Sequence, residues 1–320
     1  MTTDGLSTMD IKQLRALLAV AEAGSVTKAA EALHIVQPAV SRQLKLLEED
    51  VGIPLFDRGR YGMELTNAGD ILVEYARRAL LELDRARAEI RPPTAAVSGI
   101  ATIGLLPSTA RLLAGPLVER VKAQFPAIEL RIVVGYAGHL QQWLETGEVD
   151  AALLYDARAL PTLQAQPLLE ESLMLVGPES SALELDTPVP FSELNGRAMI
   201  VASSPHAIRR LLDRACCEAG VKFDVVTATN SLDVQKTLVI GGLGYTVLPG
   251  IAIRDELARG ELKAAPLTDP QLVRQISLAL PNIRRQVTPV RYTTKLLVDA
   301  IRDAVFNHDW PARWLAPDAA

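Results

Sequence analysis

The chain has 320 residues, a hydrophobic fraction of 49%, 22% charged residues and a formal net charge of −5. That length allows two or three domains with sizeable cores, and the composition is that of a soluble globular protein. No apolar run approaches the roughly 18 residues of a membrane span. The start, MTTDGLSTMD, carries an acid and no basic, apolar leader, so no secretory signal is expected and the expected location is cytoplasmic. The only two cysteines, Cys216 and Cys217, are adjacent, a spacing that makes a strained disulfide, and no Cys/His pattern suggests zinc. Buried, reduced thiols on a helix are expected there, with no metal and no cofactor.

Leu14, Leu17, Leu18 and Ala21 recur at helical spacing and open the chain with an amphipathic helix. The stretch Ser25 to Lys45, SVTKAAEALHIVQPAVSRQLK, reads as two short helices joined by a tight corner. Ser25 is placed to cap the first by accepting a free backbone N–H. Val26, Ala29, Ala30 and Leu33 form its apolar face, and the small Ala29 and Ala30 let a second helix cross closely. His34, Ile35 and Val36 make the corner, with Ile35 expected in the core. Pro38 suits the first turn of the next helix, where its missing N–H costs nothing. Val40, Leu44 and Leu47 point inward, which leaves Gln37, Ser41, Arg42 and Lys45 outward. Those side-chain types read base edges and clamp phosphates, and the layout is a helix-turn-helix. The plain alternative is an amphipathic hairpin with a solvated polar face.

Two short apolar runs, Leu55-Phe56 and Met63-Leu65, bracket Arg58-Gly59-Arg60-Tyr61-Gly62. This reads as a β-hairpin wing with arginines placed for phosphate or the minor groove. Composition alone would miss such a function. Met9 to Thr66 holds seven basic residues (Lys12, Arg15, Lys28, Arg42, Lys45, Arg58, Arg60) against eight acidic ones (Asp10, Glu22, Glu31, Glu48, Glu49, Asp50, Asp57, Glu64). Placement matters instead: four of the seven fall on the proposed DNA face.

From Met9 to about Ile90 the chain resembles the N-terminal region of LysR-type transcriptional regulators. The resemblance rests on Ser25-Val26-Thr27, Ala29-Ala30, Leu33, Gln37-Pro38-Ala39-Val40-Ser41, Leu47-Glu48, Gly52, Leu55-Phe56, Arg58, Leu65-Thr66 and Ala68-Gly69. It implies effector-responsive control of transcription, with double-stranded DNA and RNA polymerase as partners. The DNA-contacting set is then Ser25, Thr27, Gln37, Pro38, Ala39, Ser41, Arg42, Lys45, Arg58 and Arg60. Tyr61-Gly62 stands where an Arg-Gly or similar pair is frequent in the family.

Thr66 or Asn67 can cap a long helix running to about Arg91. Leu72, Ala76, Ala79, Leu83, Ala86 and Ile90 are spaced four, three, four, three and four, a heptad seam read as self-pairing, the alternative being one amphipathic helix lying on its own domain. Arg91-Pro92-Pro93-Thr94 ends the helix as a stiff hinge. A two-fold dimer implies an imperfectly palindromic site, and the resemblance adds pairing of dimers into tetramers.

Beyond Gly99 strand-like runs (Ile100–Leu106, Ile128–Gly135, Ala151–Tyr155, Leu173–Gly177, Met199–Ala202, Val225–Thr229, Gly244–Leu248, Ile276–Leu280) alternate with helical segments (Ala110–Gln124, Ile208–Ala219, Leu232–Ile240, Tyr292–Val305). Such alternation implies an α/β fold with mostly parallel sheet. A break near Glu170–Glu171 and a return near Leu267–Gln275 suggest two lobes. The family has this architecture, similar to periplasmic solute-binding proteins. The expected organisation is therefore a winged helix-turn-helix at residues 9–66, a linker helix at 67–93 and an effector-binding domain at 94–308. Its first lobe takes 99–170 with 271–306 and its second 171–270.

Hydroxyl and amide residues fall where strands end and helices begin: Ser108-Thr109, Ser203-Ser204 and Asn230-Ser231. Converging helix N-termini favour an anion such as a carboxylate or phosphate metabolite, though plain helix caps look the same in sequence. Ser108 and Ser203-Ser204 also align with pocket positions of the family. The candidate effector contacts are Ser108, Thr109, Ala137, Ser203, Ser204, His206 and Asn230. His206 is read as either a pH-sensitive or anion contact or a packed surface histidine, and Asp150 and Tyr155 as possible cleft formers. The run Gly241-Gly242-Leu243-Gly244 follows a helix and precedes a strand, the reverse of a dinucleotide site, and reads as a helix stop. No nucleophile elbow, Walker lysine or H-E-x-x-H motif is present, so catalysis is not expected. The rival readings are an α/β solute-binding protein and an architectural DNA-binding protein without sensing.

Overall fold

A computed structural model describes residues 9–59, 62–89, 97–155, 162–204, 206–282 and 286–317. They fall into two compact units, Met1–Arg91 and Pro92–Ala320.

The first unit opens with three helices, α1 (Ile11–Ala23), α2 (Val26–Ala32) and α3 (Gln37–Val51). Asp10 and Gln13 form a reciprocal capping box at α1: Gln13 N–H donates to the Asp10 carboxylate at 2.8 Å and Asp10 N–H to the Gln13 side chain at 2.9 Å. Ala29 is fully buried and Ala30 nearly so, and this lack of bulk lets the helices cross over Leu17, Val20, Val40 and Leu47. The corner between α2 and α3 turns through His34 at φ 54°. That left-handed turn corrects one expectation. Ile35 does not plug the core but is 45% exposed, while the half-buried Leu33 packs inward in its place. Ser25 does sit at the start of α2, but its side chain makes no capping bond.

Strands β1 (Phe56–Gly59) and β2 (Gly62–Leu65) pair antiparallel with Phe56 opposite Leu65, as a wing requires. Its base is tied down on two sides. The Glu48 carboxylate accepts from Leu55 N–H at 2.8 Å, and Met63 N–H donates to the Gly24 carbonyl at 3.0 Å. Arg60 and Tyr61 lie outside the described residues. Helix α4 (Asn67–Glu89) follows, capped by Thr66, whose hydroxyl accepts from Gly69 N–H at 3.1 Å and donates to the Pro54 carbonyl at 2.9 Å. Gly69 is needed for that approach, because a Cβ there would lie 2.1 Å from the Leu55 carbonyl oxygen.

The second unit runs β3 (Gly99–Leu105), α5 (Pro107–Gln124), β4 (Ile128–Val134), α6 (Ala137–Thr146), β5 (Ala151–Tyr155), β6 (Leu163–Pro178), β7 (Val189–Pro190), β8 (Ala198–Ala202), α7 (Ala207–Ala219), β9 (Asp224–Thr229), α8 (Leu232–Ile240), β10 (Thr246–Pro249), α9 (Gly250–Ala258), β11 (Leu262–Thr268), β12 (Val273–Pro281), α10 (Thr288–Phe306) and β13 (Arg313–Trp314). The strand expected at Leu173–Gly177 is only the end of the 16-residue β6. The first half of β6 pairs with β12 and its second half with β10 and β11. One lobe gathers β3, β4, β5 and β12 with α5, α6 and α10 around Ile103, Leu117, Leu144 and Leu297. The other has two clusters of its own, around Phe191, Leu212 and Val247 and around Val176, Val239 and Ile253.

The expected mostly parallel sheet is corrected. The β3–β4, β3–β5, β8–β9 and β11–β7 pairs are parallel, but every pairing of β6 is antiparallel. The reason is the return of the chain: β12 must run back against β6 to re-enter the first lobe. Cys216 and Cys217 also differ from expectation. Both are free thiols on α7, but Cys216 is half-buried at the edge of the core that holds Ile208, Leu212 and Ala215, and Cys217 is exposed.

Candidate functional site

In the first unit α3 presents Gln37, Pro38, Arg42 and Lys45 to solvent, with Ala39 and Ser41 half-buried beside them. Pro38 stands in its first turn, as expected. The Gln37 amide donates to the Ser41 hydroxyl at 3.2 Å, and Lys45 lies 3.4 Å from the Glu49 carboxylate. Both are exposed contacts that a stronger acceptor can replace at little cost. Thr27 is exposed and Ser25 half-buried at the start of α2. Arg58 has its backbone in β1, and Arg60 lies outside the described residues.

The heptad seam on α4 is divided by the structure. Ala76 is 1% exposed and Leu72 half-buried, both packed into the core of their own unit together with Val73. Closing the three-helix core on α1 uses up that face. Ala79, Leu83 and Ala86 remain outward, and Ile90 lies outside the described residues. Ile71 and Tyr75, 60% and 59% exposed, continue the free apolar edge in place of Leu72 and Ala76.

The second unit holds a cleft between its lobes. An outer part of about 320 Å³ is lined by Ser108, Arg111, Leu112, Val134, Tyr136, Asn230, Leu232, Lys236, Ala252 and Glu256, among others. A tight inner part of about 20 Å³ shares Pro107, Ser108, Tyr136, Leu232 and Ala252 with it and adds Tyr155, His206, Thr229, Gln235 and Arg274. Five helices begin at its border: α5 at Pro107, α6 after Tyr136, α7 after His206, α8 at Leu232 and α9 after Pro249. Helix N-termini carry free N–H groups and a partial positive charge, so this cleft favours negative or acceptor-rich groups.

At its floor Arg274 is buried and paired with Glu171, Nη2 to carboxylate at 2.5 Å. Its Nη2 also donates to the Ser108 hydroxyl at 3.2 Å, and its guanidinium carbon lies 4.2 Å from the centre of the Tyr155 ring. Ser108 and Tyr155 hydroxyls are 3.1 Å apart. Burial pushes the Tyr155 phenol above its usual range, with Arg274 opposing. The Trp310 indole donates to the other Glu171 oxygen at 2.8 Å. His206 caps α7 by accepting from Ile208 N–H at Nδ1 (3.2 Å) and meets the Tyr136 ring edge-on at 4.8 Å. Burial, then Arg274 and Arg210, lower its pKa to about 4, so it is neutral at pH 7.

The lobes are also clasped directly. Leu232 N–H, at the start of α8, donates to the Tyr136 hydroxyl at 2.9 Å. Arg111 of α5 lies 3.5 Å from Asp255 and 3.7 Å from Glu256 of α9, and Glu256 pairs with the buried Lys236 at 2.9 Å.

Of the sequence candidates, Ser108, His206 and Asn230 border this cleft. Thr109 is fully buried and donates to the Leu106 carbonyl within its own helix at 3.1 Å, which uses its hydroxyl for a local turn. Ala137 packs on the first-lobe core. Ser203 is half-buried and Ser204 exposed beside the α7 entrance, where Ser203 N–H donates to the Thr229 carbonyl. Asp150 accepts from Thr102 N–H at 2.8 Å, a structural tie between β3 and β5. Sequence reasoning missed Arg274, Glu171, Tyr136 and the Lys236–Glu256 pair. For Arg274 and Glu171 the available signal was charge inside two apolar strands, Glu170-Glu171 within Leu168 to Val176 and Arg274 within Leu272 to Leu280.

Two protein-family models match the chain: the bacterial regulatory helix-turn-helix protein of the lysR family over residues 11–70, and the LysR substrate binding domain over residues 94–304. The chain belongs to the LysR family of transcriptional regulators. As a LysR-type regulator it is a DNA-binding protein that responds to an effector, with α1 to β2 inside the helix-turn-helix match and the cleft inside the other. It is 30% identical over 304 residues to the nitrogen assimilation regulatory protein nac of Escherichia coli K12, covering 93% of this chain and 97% of that one. It is 27% identical over 297 residues to a hydrogen peroxide-inducible genes activator of Haemophilus influenzae, covering 93% and 97%. Its fold is similar to that of full-length OxyR from Pseudomonas aeruginosa, with TM-score 0.68 and 23% identity over 92% of this chain and 95% of that one. Among the described residues no helix is long and apolar enough to cross a membrane.

Proposed function

We propose that this regulator controls transcription by coupling occupancy of the interlobe cleft to DNA binding, and that its effector is a small anionic metabolite. The observation that carries this reading is the meeting of five helix N-termini at a cleft floored by Arg274. On the DNA side, α3 enters the major groove with Gln37, Ser41 and Arg42 toward bases. Lys45, Arg58 and Arg60 hold phosphates, supported by Ser25, Thr27, Pro38 and Ala39. Two copies pair through the free edge of α4, so the site is an imperfect palindrome read by a homodimer or homotetramer that engages RNA polymerase in the cytoplasm. The working division remains residues 9–66 for DNA, 67–93 for linkage and 94–308 for the effector. The protein binds rather than transforms its ligand. The hydroxyls of Ser108 and Tyr155 face each other and Arg274, and among the described residues no side chain at the cleft is set as a nucleophile beside a base.

Relatives named for hydrogen peroxide raise the question of a thiol switch. The two cysteines here are neighbours within α7, where a disulfide would break the helix. This favours a bound metabolite over a reversible intrachain disulfide as the signal.

The test is a gel shift of the full-length protein on its own upstream DNA, with scrambled DNA as competitor and a panel of anionic metabolites. Selective retention altered by one anion is expected. Equal, salt-sensitive retention of both DNAs with no response to any metabolite would remove the sensing role and favour an architectural one.

A further inference from the structure

We propose that Arg274 is the anchor of the effector and that the effector is a monocarboxylate, its carboxylate held in the inner cavity and its body in the outer cleft. This rests on the reading of the cleft as the effector site.

The Arg274 side chain is only 3% exposed, and its donors are unequally used. Nε and Nη2 face Glu171, and Nη2 also reaches Ser108, whereas Nη1 has no partner among the described residues. An unsatisfied buried donor is costly, and a charged one more so. Arg274 borders the inner cavity, so an acceptor placed there removes the deficit. His206 offers a second donor. Because Nδ1 accepts from Ile208, the neutral ring carries its proton on Nε2.

The free donor suits one anionic group. Arg274 is already paired with Glu171 and His206 is neutral, so among the described residues Nη1 is the single guanidinium donor left to meet an acceptor. Added to it is the partial positive charge of the surrounding helix ends, roughly half a charge each. Size selects a carboxylate, since the inner space is about 20 Å³ and the larger outer space of about 320 Å³ must hold the rest. Leu112, Val134 and Leu232 supply apolar wall for that body.

The anchor also sits where a signal can leave. Arg274 is directly opposite Glu171 in the β12–β6 register, at the point where both strands pass between the lobes. A ligand on Nη1 therefore bears on the strands that set the angle between the lobes.

The test measures binding to the full-length protein by calorimetry and thermal unfolding, using benzoate and propanoate against benzamide and propanamide, with inorganic phosphate as a further probe. Arg274→Lys keeps a cation opposite Glu171 and removes Nη1. The double substitution Arg274→Met with Glu171→Leu, which leaves no lone buried charge, serves if the lysine variant does not fold. Ala252→Leu fills the cleft without touching the anchor. The expected result is carboxylate binding at least about tenfold tighter than amide binding, lost in the Arg274 variants and weakened by Ala252→Leu. Equal binding of acid and amide, unchanged binding in the Arg274 variants, preference for phosphate, or no carboxylate binding at millimolar concentration would each overturn the proposal. Amide binding blocked by Ala252→Leu alone would overturn the anchor and keep the cleft. Binding insensitive to every substitution would remove the cleft reading as well.

Discussion

Single residues set several of the tolerances of this protein. Gly69 lies so close to the Leu55 carbonyl that Gly69→Ala must push α4 off the base of the wing. A loss of about 1–3 kcal/mol is expected, read as a lower urea midpoint. His206 carries a pH signature. Its pKa is about 4 in the folded chain against an ordinary 6.5, with Arg274 and Arg210 facing it and the Tyr136 and Tyr155 rings packed on it. Between those values the unfolded chain takes up a proton that the folded chain refuses, so stability falls as pH drops from about 6.5 toward 4. His206→Gln should flatten that slope in denaturant titrations at pH 7 and pH 5, and an unchanged slope would assign it to other groups.

At the scale of elements, the proposed function gives α3 the contact with DNA and α4 the pairing of copies. Arg42 is outward on α3 and free to meet a base edge, so Arg42→Ala should cost about 1–3 kcal/mol on the cognate site and less on random DNA. Equal losses on both would recast it as a phosphate contact. Helix α4 has two faces: Val73 and Ala76 serve its own core, and Ile71, Tyr75, Ala79 and Leu83 are left outside. A charge at the free edge, Leu83→Glu, should shift sedimentation toward smaller species and weaken binding to a palindromic site more than to a half-site. Retained assembly would place self-pairing elsewhere. These helices were legible because their signals are local: a 3.6-residue period, Pro38 in a first turn and Gly52 at a helix end. The half of β6 from Leu163 to Ser172, and all of β11, escaped because short apolar runs do not declare their partners.

For the molecule as a whole, the lobes depend on residues far apart in sequence. Glu171 joins Arg274, at a sequence distance of 103, and Trp310, at 139. Removing one partner of such a buried network strands the others. Trp310→Phe leaves one Glu171 oxygen without its donor and should lower the stability of the second unit by about 1–3 kcal/mol, seen as an earlier thermal transition. Operator binding by gel shift below that transition should not change. An unaltered transition would mean that water replaces the indole at no cost.

What the sequence by itself determined was everything carried by neighbours along the chain. It set the helix-turn-helix with its inward Val40, Leu44 and Leu47, the wing, the long helix after Thr66, the α/β alternation and the family resemblance that the comparisons confirmed. It also placed Ser108 and Asn230 where strands end and helices begin, because caps and strand ends are local features, whereas the place of His206 as the cap of α7 came from the structure. Only the tertiary structure decided which face of α4 stays free, since that depends on what α1 covers. It likewise decided that Thr109 spends its hydroxyl inside its own helix and that Ile35 faces solvent. The cleft floor of Arg274, Glu171, Tyr155 and Trp310 became visible only once β6 and β12 were paired. The reason is physical: a charge in an apolar strand looks like a defect in sequence, and only the packed partner that neutralises it shows what it is for.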